Sequence, residues 1–270
     1  MTNDAYLKQI VEHYRQSSFY SNKETLVFNE IARTIQTWFN SFKYYNPNGA
    51  YIDMRIQQSG SRAKGTAIKG KSDIDVFLAF SDPYGYFKLQ EIYNLVYNEL
   101  KRQYGTVRKQ NVSIGLEYAG LDVDVVPARK VNSLDHSRQH DYYLWSNKKQ
   151  NRMLTCIQKH INLVRSSGCI DEIIIAKVWR EQKKIDFPSI LLELFVIEAL
   201  SGEKNQLNSF EQKVLCLFRY IRDNIENKRV VDPGNSGNIL SDELSTAEKR
   251  AIKNAAQKVL DATYWSEVVT

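Results

Sequence analysis

The sequence predicts an α+β fold: a mixed sheet with helices over residues 1–130, followed by a helical lobe over 131–270. Three observations carry that expectation. Between about 46 and 130, runs of alternating or branched apolar residues have the period of strands. Beyond Pro127 the apolar residues return at helical spacing in one segment after another. A hydrophobic content of 43% in 270 residues is enough for one large domain or two small ones.

Each element follows from its own residues. Ala5 to Tyr45 reads as one or two amphipathic helices bracing both regions, with Leu26, Phe28, Ile31, Ile35, Trp38 and Phe39 at helical spacing. The turn-forming "NPNG" at 46–49 stops them, and "AYIDMRIQQSG" alternates like a strand before a glycine turn. "SDIDVFLAF" is a second strand, rich in branched and aromatic residues, and "SDPYGY" ends it. "FKLQEIYNLVYNELKRQYG" is a helix closed by Gly105. "TVRKQNVSIGLEY" and "LDVDVVPAR" are further strands, paired through the "AG" turn at 119–120. Segments 151–168, 171–184, 187–202, 209–226 and 244–265 all read as helices bounded by Gly, Pro, Asp or Ser.

Composition narrows the function classes. A net charge of +6 and a pI near 9.0 favour a polyanionic partner: nucleic acid, nucleotide or acidic surface. Cys156, Cys169 and Cys216 are scattered without CxxC spacing, so neither a disulfide framework nor a zinc motif is expected. "MTNDAYLKQIVEHYRQ" mixes charge with apolar residues and lacks the core of a signal peptide. No segment approaches the length that spans a bilayer. The expected location is cytoplasmic, with no membrane partner.

The chemistry concentrates in "GSRAKGTAIKGKSDIDVFLAF", residues 60–80. Asp73 and Asp75 are two apart on a strand, so both carboxylates project from one face. Two such acids repel unless a cation lies between them. Mg²⁺ suits the position, because it takes a few carboxylates and completes its shell with phosphate oxygens. Gly60 and Ser61 form a tight turn whose N–H groups and hydroxyl would cradle a triphosphate, with Lys64 and Lys69 adding positive charge. A second acidic strand, "LDVDVVPAR", offers Asp122 and Asp124. Asp124 completes a site for two metals, which in such enzymes lie roughly 3.5–4 Å apart. A bare DxD is more often an exposed strand end. The conjunction of turn, bases and two acidic strands describes a nucleoside triphosphate site.

"GSRAKGTAIKGKSDIDVFL" followed by "VDVVPA" resembles the polymerase-β-like nucleotidyltransferase superfamily in its GS…DxD…D form. Within it the match is most similar to the branch of archaeal-type CCA-adding enzymes, oligoadenylate synthetases and bacterial cGAS/DncV-like enzymes (CD-NTases). The resemblance implies a nucleotidyltransferase core over 1–130 and a helical lobe over 131–270 that closes the nucleotide cleft. It implies Asp73, Asp75 and Asp124 as catalytic metal ligands, Mg²⁺ or Mn²⁺ as a two-metal cofactor, and Gly60, Ser61 and Lys64 as nucleotide-binding residues. "AKVWREQ" is similar to the segment carrying a triphosphate-binding lysine, which falls on Lys177. "FPSILLELFVIEAL" looks like the neighbouring helix with a family-typical acid, here Glu193, for which a buried ion pair is the favoured role. "VVDPGNSGNIL" resembles a loop that places Asp232 and Asn238, unless these simply form a turn. Tyr142, Tyr143 and Trp145 would stack on a base or fill the core; His160 reads as structural.

The resemblance further implies a template-independent transferase acting on ATP, GTP or dNTPs. Its oligonucleotide product would be a signal in antiphage defence, read by a separate effector protein. That product would be cyclic, or linear as in Hailong systems, whose enzymes start the chain on a hydroxyl at their own C-terminus. Thr270 offers such a hydroxyl as a primer. A tRNA nucleotidyltransferase of the CCA-adding kind is the alternative, and a non-catalytic binding or antitoxin module a third.

Overall fold

The protein is described by a computed structural model over residues 1–15, 18–132, 138–202 and 206–270. Contacts divide it into two compact units: Ser17–Ala63 with Ser72–Ile161, and Met1–Gln16 with Lys64–Lys71 and Asn162–Thr270. The first is built on a sheet and the second on helices.

The sheet unit has seven strands: β1 (Asp53–Gln58), β2 (Ile74–Ser81), β3 (Val107–Lys109), β4 (Ile114–Tyr118), β5 (Leu121–Lys130), β6 (Tyr142–Ser146) and β7 (Asn151–Thr155). Their order is β1-β2-β5-β4-β3, with β6 on the far end of β5 and β7 on β6. Among the described residues only β2 and β5 pair in parallel, the other neighbours in this sheet being antiparallel. Ala119 and Gly120, with φ of 53° and 70°, make the turn between β4 and β5, since a two-residue hairpin of this kind needs positive φ at both positions.

Side-chain parity gives the sheet two different faces. Ile74, Val76, Leu78 and Phe80 of β2 and Val123 and Val125 of β5 lie in one apolar core. With them pack Val27, Ile31, Ile35 and Phe39 from helix α2 (Ser18–Tyr45), and Ile92, Tyr93, Val96 and Leu100 from α4 (Leu89–Tyr104). Burying each such side chain stabilises by about 1.5–3 kcal/mol. The alternate residues, Asp75, Phe77 and Ala79 on β2 and Asp124, Val126 and Ala128 on β5, must face the other way. Phe77, Ala79, Ala128 and Leu144 form a small second core there. Leu26, expected on the apolar face of α2, is instead 70% exposed.

The expected change of texture after residue 130 comes later. Residues 142–155 form the β6–β7 hairpin, register Tyr142↔Thr155 to Ser146↔Asn151, and the helix expected over 151–168 is only α5 (Ile157–Ser166). Gln150 at φ 49° turns the chain into β7, where pairing with β6 outweighs the helical spacing of "NRMLTCIQ".

The helical unit contains α1 (Asn3–Tyr14), the strap Lys64–Lys71, α6 (Ile170–Gln182), α7 (Ser189–Leu200), α8 (Phe210–Asn224), α9 (Thr246–Asp261) and a small hairpin of β8 (Val231–Asp232) with β9 (Asn235–Ile239). Its core gathers Leu7, Ile68, Trp179, Leu192, Phe195, Val214, Phe218 and Ile252; Trp179 meets Phe218 edge-on at 4.9 Å. The N-terminal helices therefore divide their work, α1 packing in the helical unit and α2 on the sheet. Among the described residues no helix is long and apolar enough to cross a membrane. Cys156, Cys169 and Cys216 form no disulfide.

Candidate active site

The acids sit on the sheet face turned away from α2 and α4. Asp75 and Asp124 are direct register partners across the parallel β2–β5 pair, so their side chains leave the same face as nearest neighbours. Both are half-buried. Asp73 shares their parity, is exposed, and lies just before β2, which begins at Ile74 rather than at Ser72. Asp122 is spent differently. It pairs with Arg108 at 3.4 Å on the surface, both side chains more than half exposed.

Asp124 is held from the side. Ser113 donates to its Oδ2 at 3.4 Å, Gln110 also hydrogen-bonds it, and Tyr93 donates to the Ser113 carbonyl at 2.9 Å. Burial raises the Asp124 pKa above its ordinary value, against the pull of Ser113, Gln110 and Arg108. Ser113 and Gln110 were not singled out in the sequence; their only signal is a polar pair just before the β4 strand that flanks the acidic one.

Gly60 has φ +60° and opens the one-turn helix α3 (Gly60–Lys64). A Cβ on Gly60 would lie 1.7 Å from Asp75 Oδ2 and 2.3 Å from its Cγ. Only glycine lets the backbone run against that carboxylate. Ser59 donates its N–H to the Asp75 carbonyl at 3.1 Å, tying the turn to the strand. Arg62, two residues on, forms a buried ion pair with Glu24 of α2 at 2.7 Å, side chains 7% and 3% exposed. Gly60, Asp75 and Asp124 thus lie together, the glycine against Asp75 and Asp124 its register partner.

The donors offered here are carboxylate oxygens, with no thiolate or imidazole, which suits a hard cation. Among the described residues no three His, Cys, Asp or Glu are gathered into a metal cage. Mg²⁺ needs only one or two protein carboxylates, the rest of its shell being water and substrate phosphate. A desolvated Asp124 beside Asp75 is a pair that gains from a cation.

The expected phosphate-binding lysines lie in the helical unit, and neither is free. Lys64 Nζ donates to Glu193 Oε2 at 2.7 Å. Lys177 Nζ donates to Glu193 Oε1 at 2.7 Å, to Thr66 Oγ1 at 2.9 Å and to the Thr66 carbonyl at 3.3 Å. Thr66 in turn donates to Glu193 Oε1 at 3.0 Å. Glu193 and Thr66 are wholly buried. Burial opposes ionisation of Glu193, but the two lysines outweigh it and hold its pKa below the ordinary value. Glu193 has the anchoring role favoured from the sequence.

Other expected residues find local partners. Asp232 accepts from Gly234 N–H at 2.7 Å and from Asn238 at 3.3 Å, closing the β8–β9 turn. Tyr142 meets Phe77 edge-on at 5.1 Å, Tyr143 lies under Arg152 at 4.8 Å, and Trp145 donates to Asn147 at 3.2 Å. Lys69 donates its backbone N–H to Tyr14 at 2.8 Å, and His160 lies on α5. Thr270 is docked on Gln182, which donates to its carbonyl at 2.6 Å and accepts its N–H at 3.0 Å.

Comparison with known proteins adds four findings. A family model described as a nucleotidyltransferase domain matches residues 48–142. The chain is 23% identical to a cyclic AMP-AMP-AMP synthase of Escherichia coli MS 115-1, over 82% of its own length and 74% of that protein. It is 25% identical to a CCA-adding enzyme of Methanocaldococcus jannaschii over 78% of its length, spanning only 52% of that enzyme. The solved structure of E. coli MS115-1 CdnC with ATP matches with a TM-score of 0.74 at 18% identity, covering 96% of this chain and 91% of the other.

Proposed function

From the match of residues 48–142 to a nucleotidyltransferase domain model we propose a template-independent, metal-dependent enzyme that builds an oligonucleotide signal from NTPs or dNTPs in bacterial antiphage defence. One observation carries the reading: Asp75 and Asp124 are paired across β2 and β5 with the bare backbone of Gly60 against Asp75. Similarity to a cyclic trinucleotide synthase over most of both chains supports a nucleotide product.

Asp73, Asp75 and Asp124 would hold Mg²⁺ or Mn²⁺, which supplies Lewis-acid stabilisation of the triphosphate and of the attacking hydroxyl when bound. The protein's own part is positional. Gly60 N–H and the Ser61 hydroxyl orient phosphate oxygens, leaving pyrophosphate in line with the attacking oxygen. Asp124, kept basic by burial and steadied by Ser113 and Gln110, accepts the hydroxyl proton at a carboxylate oxygen. A separate effector would then sense the product, all in the cytoplasm.

Incubating the purified protein with each radiolabelled NTP and dNTP and Mg²⁺ or Mn²⁺ tests this. Pyrophosphate release and new species on thin-layer plates or gels are expected, ATP being the first to try because CdnC was solved with it. No pyrophosphate from any nucleotide would overturn the reading. Turnover only with tRNA would favour the CCA-adding alternative, whose relative is matched over only 52% of its length. A product primed on Thr270 would use the hydroxyl of an exposed residue whose backbone is docked on Gln182, next to the buried Val268 and Val269. Mass spectrometry of the C-terminal peptide after turnover with dNTPs decides it, an unmodified peptide excluding the primer.

A further inference from the structure

Gly115 is a glycine that its backbone does not require. It lies buried in β4 between Ile114 and Leu116, whose side chains enter the apolar core shared with α2 and α4. A side chain at 115 would therefore stand on the acid-bearing face, beside its register partner Asp124. Its φ is not left-handed, and glycine inside a strand forfeits packing unless something approaches closely. Here something does. A Cβ on Gly115 would meet the Gln110 amide nitrogen at 2.7 Å and Asp124 Oδ1 at 3.3 Å. The space is taken by an amide that crosses the bare strand to reach the carboxylate.

Gln110 is held at both its backbone and its side chain. Its N–H donates to the Ser113 carbonyl at 3.0 Å, and its carbonyl accepts from Asn147 Nδ2 at 2.7 Å. The Ser113 hydroxyl, which faces Asp124 Oδ2 at 3.4 Å, has Gln110 Oε1 as its nearer acceptor. An amide accepts at one end and donates at the other, so this bond turns the NH₂ end toward Asp124, which it hydrogen-bonds. The loop itself is latched by the turn of the β6–β7 hairpin. Asn147 N–H reaches the Asn111 carbonyl at 2.7 Å, while Asn111 Oδ1 accepts from Ser146 Oγ at 2.7 Å and Lys148 N–H at 3.1 Å. All of these residues belong to the sheet unit.

We propose that Gln110 is the positioning residue of Asp124, latched in place by Asn147 of the hairpin turn, and that Gly115 is bare to let its amide through. A carboxylate tied on one side by a neutral donor keeps one orientation. Its remaining lone pairs then stay aimed at the ion or proton it must take, the part that outer-shell partners play for ligating carboxylates. The role of Gln110 in turnover rests on the nucleotidyl-transfer reading; the held amide does not.

The test uses the full chain, Gln110→Ala, Gly115→Ala and the double variant, with thermal melting to show that each is folded. In nitrogen-15 NMR the Gln110 side-chain amide is the pair of signals that Gln110→Ala removes. In wild type it should exchange with water more slowly than exposed glutamine amides, and Gly115→Ala should shift and release it, since the new methyl meets only the movable end of Gln110 first. In pyrophosphate release each single variant should lose about 10–100-fold in kcat with KM for nucleotide little changed. The double variant should be no slower than Gln110→Ala alone, because the two changes remove one interaction. Losses that multiply in the double variant, or a raised KM with kcat kept, would overturn the proposal. A wild-type amide that exchanges freely would overturn it too, whether or not the protein turns over nucleotide. Absence of all turnover would sink the proposed activity, while the amide signals still decided whether Gln110 holds Asp124.

Discussion

Replacing Gly60 by alanine probes the site at one atom. The new Cβ would fall 1.7 Å from Asp75 Oδ2, 2.3 Å from Cγ and 2.9 Å from Oδ1. To restore even a 3.0 Å contact, the nearer oxygen must retreat by about 1.3 Å. The backbone cannot easily yield instead, because φ +60° already costs an L-residue about 1–2 kcal/mol. A misplacement near 1 Å at a reacting centre costs on the order of 10²-fold in rate, or about 2.7 kcal/mol of barrier at ~1.36 kcal/mol per decade. The assay is pyrophosphate release at saturating Mg²⁺ and nucleotide, with circular dichroism and thermal melting to show that the variant is folded. Gly60→Ala should keep its fold, lose no more than about 2 kcal/mol of stability, and turn over about 100-fold more slowly. A folded variant within threefold of wild-type turnover would refute the reasoning, because Asp75 would then not need the position that glycine leaves open.

Three further outcomes are expected. Asp124→Asn should abolish turnover yet leave the metal-free protein at least as stable at neutral pH, since burial already disfavours the charged Asp124; melting in chelator checks it, and a clear loss of stability would contradict it. Glu24→Gln should destabilise the sheet unit, by up to about 3–5 kcal/mol, because it removes the carboxylate charge from a buried ion pair, and the double variant Glu24→Leu with Arg62→Met should recover most of that in urea denaturation. Glu193 has a lowered pKa in the fold, so its contribution is present above its ordinary value of 4.5 and is lost as pH falls through the folded value; a stability profile below pH 4.5 should therefore flatten in Glu193→Gln.

The residues that sequence reading recovers and those it misses differ in the range of the interaction that fixes them. Asp75 and Asp124 are legible because strand parity is local. Once Val76, Leu78, Val123 and Val125 take the helix-covered face, the acids between them must share the other, and a parallel register then sets them side by side. Gly105 and the Ala119–Gly120 turn are legible for the same reason, each being a backbone requirement within a few residues. The β6–β7 hairpin is not. Its strands are short, and "NRMLT" runs without a breaker into the residues of α5, so the choice of strand is made by pairing with Tyr142–Ser146.

Charge pairing is the least legible of all. Lys64 stands in a basic run before the acids, and local reading assigns it to phosphate; its carboxylate partner lies 129 residues away. Nothing in the spacing of Glu193, set in the apolar helix "SILLELFVIEAL", says which cation it takes. Yet an acid in the middle of an otherwise apolar helix must be compensated, because a buried unpaired carboxylate would cost several kcal/mol. That rule predicts a partner without naming it. Only the fold decides that two lysines answer, and that they come from the strap before the acids and from α6. The same basic residues that read as a ligand site from sequence are, in the fold, paired with one distant glutamate.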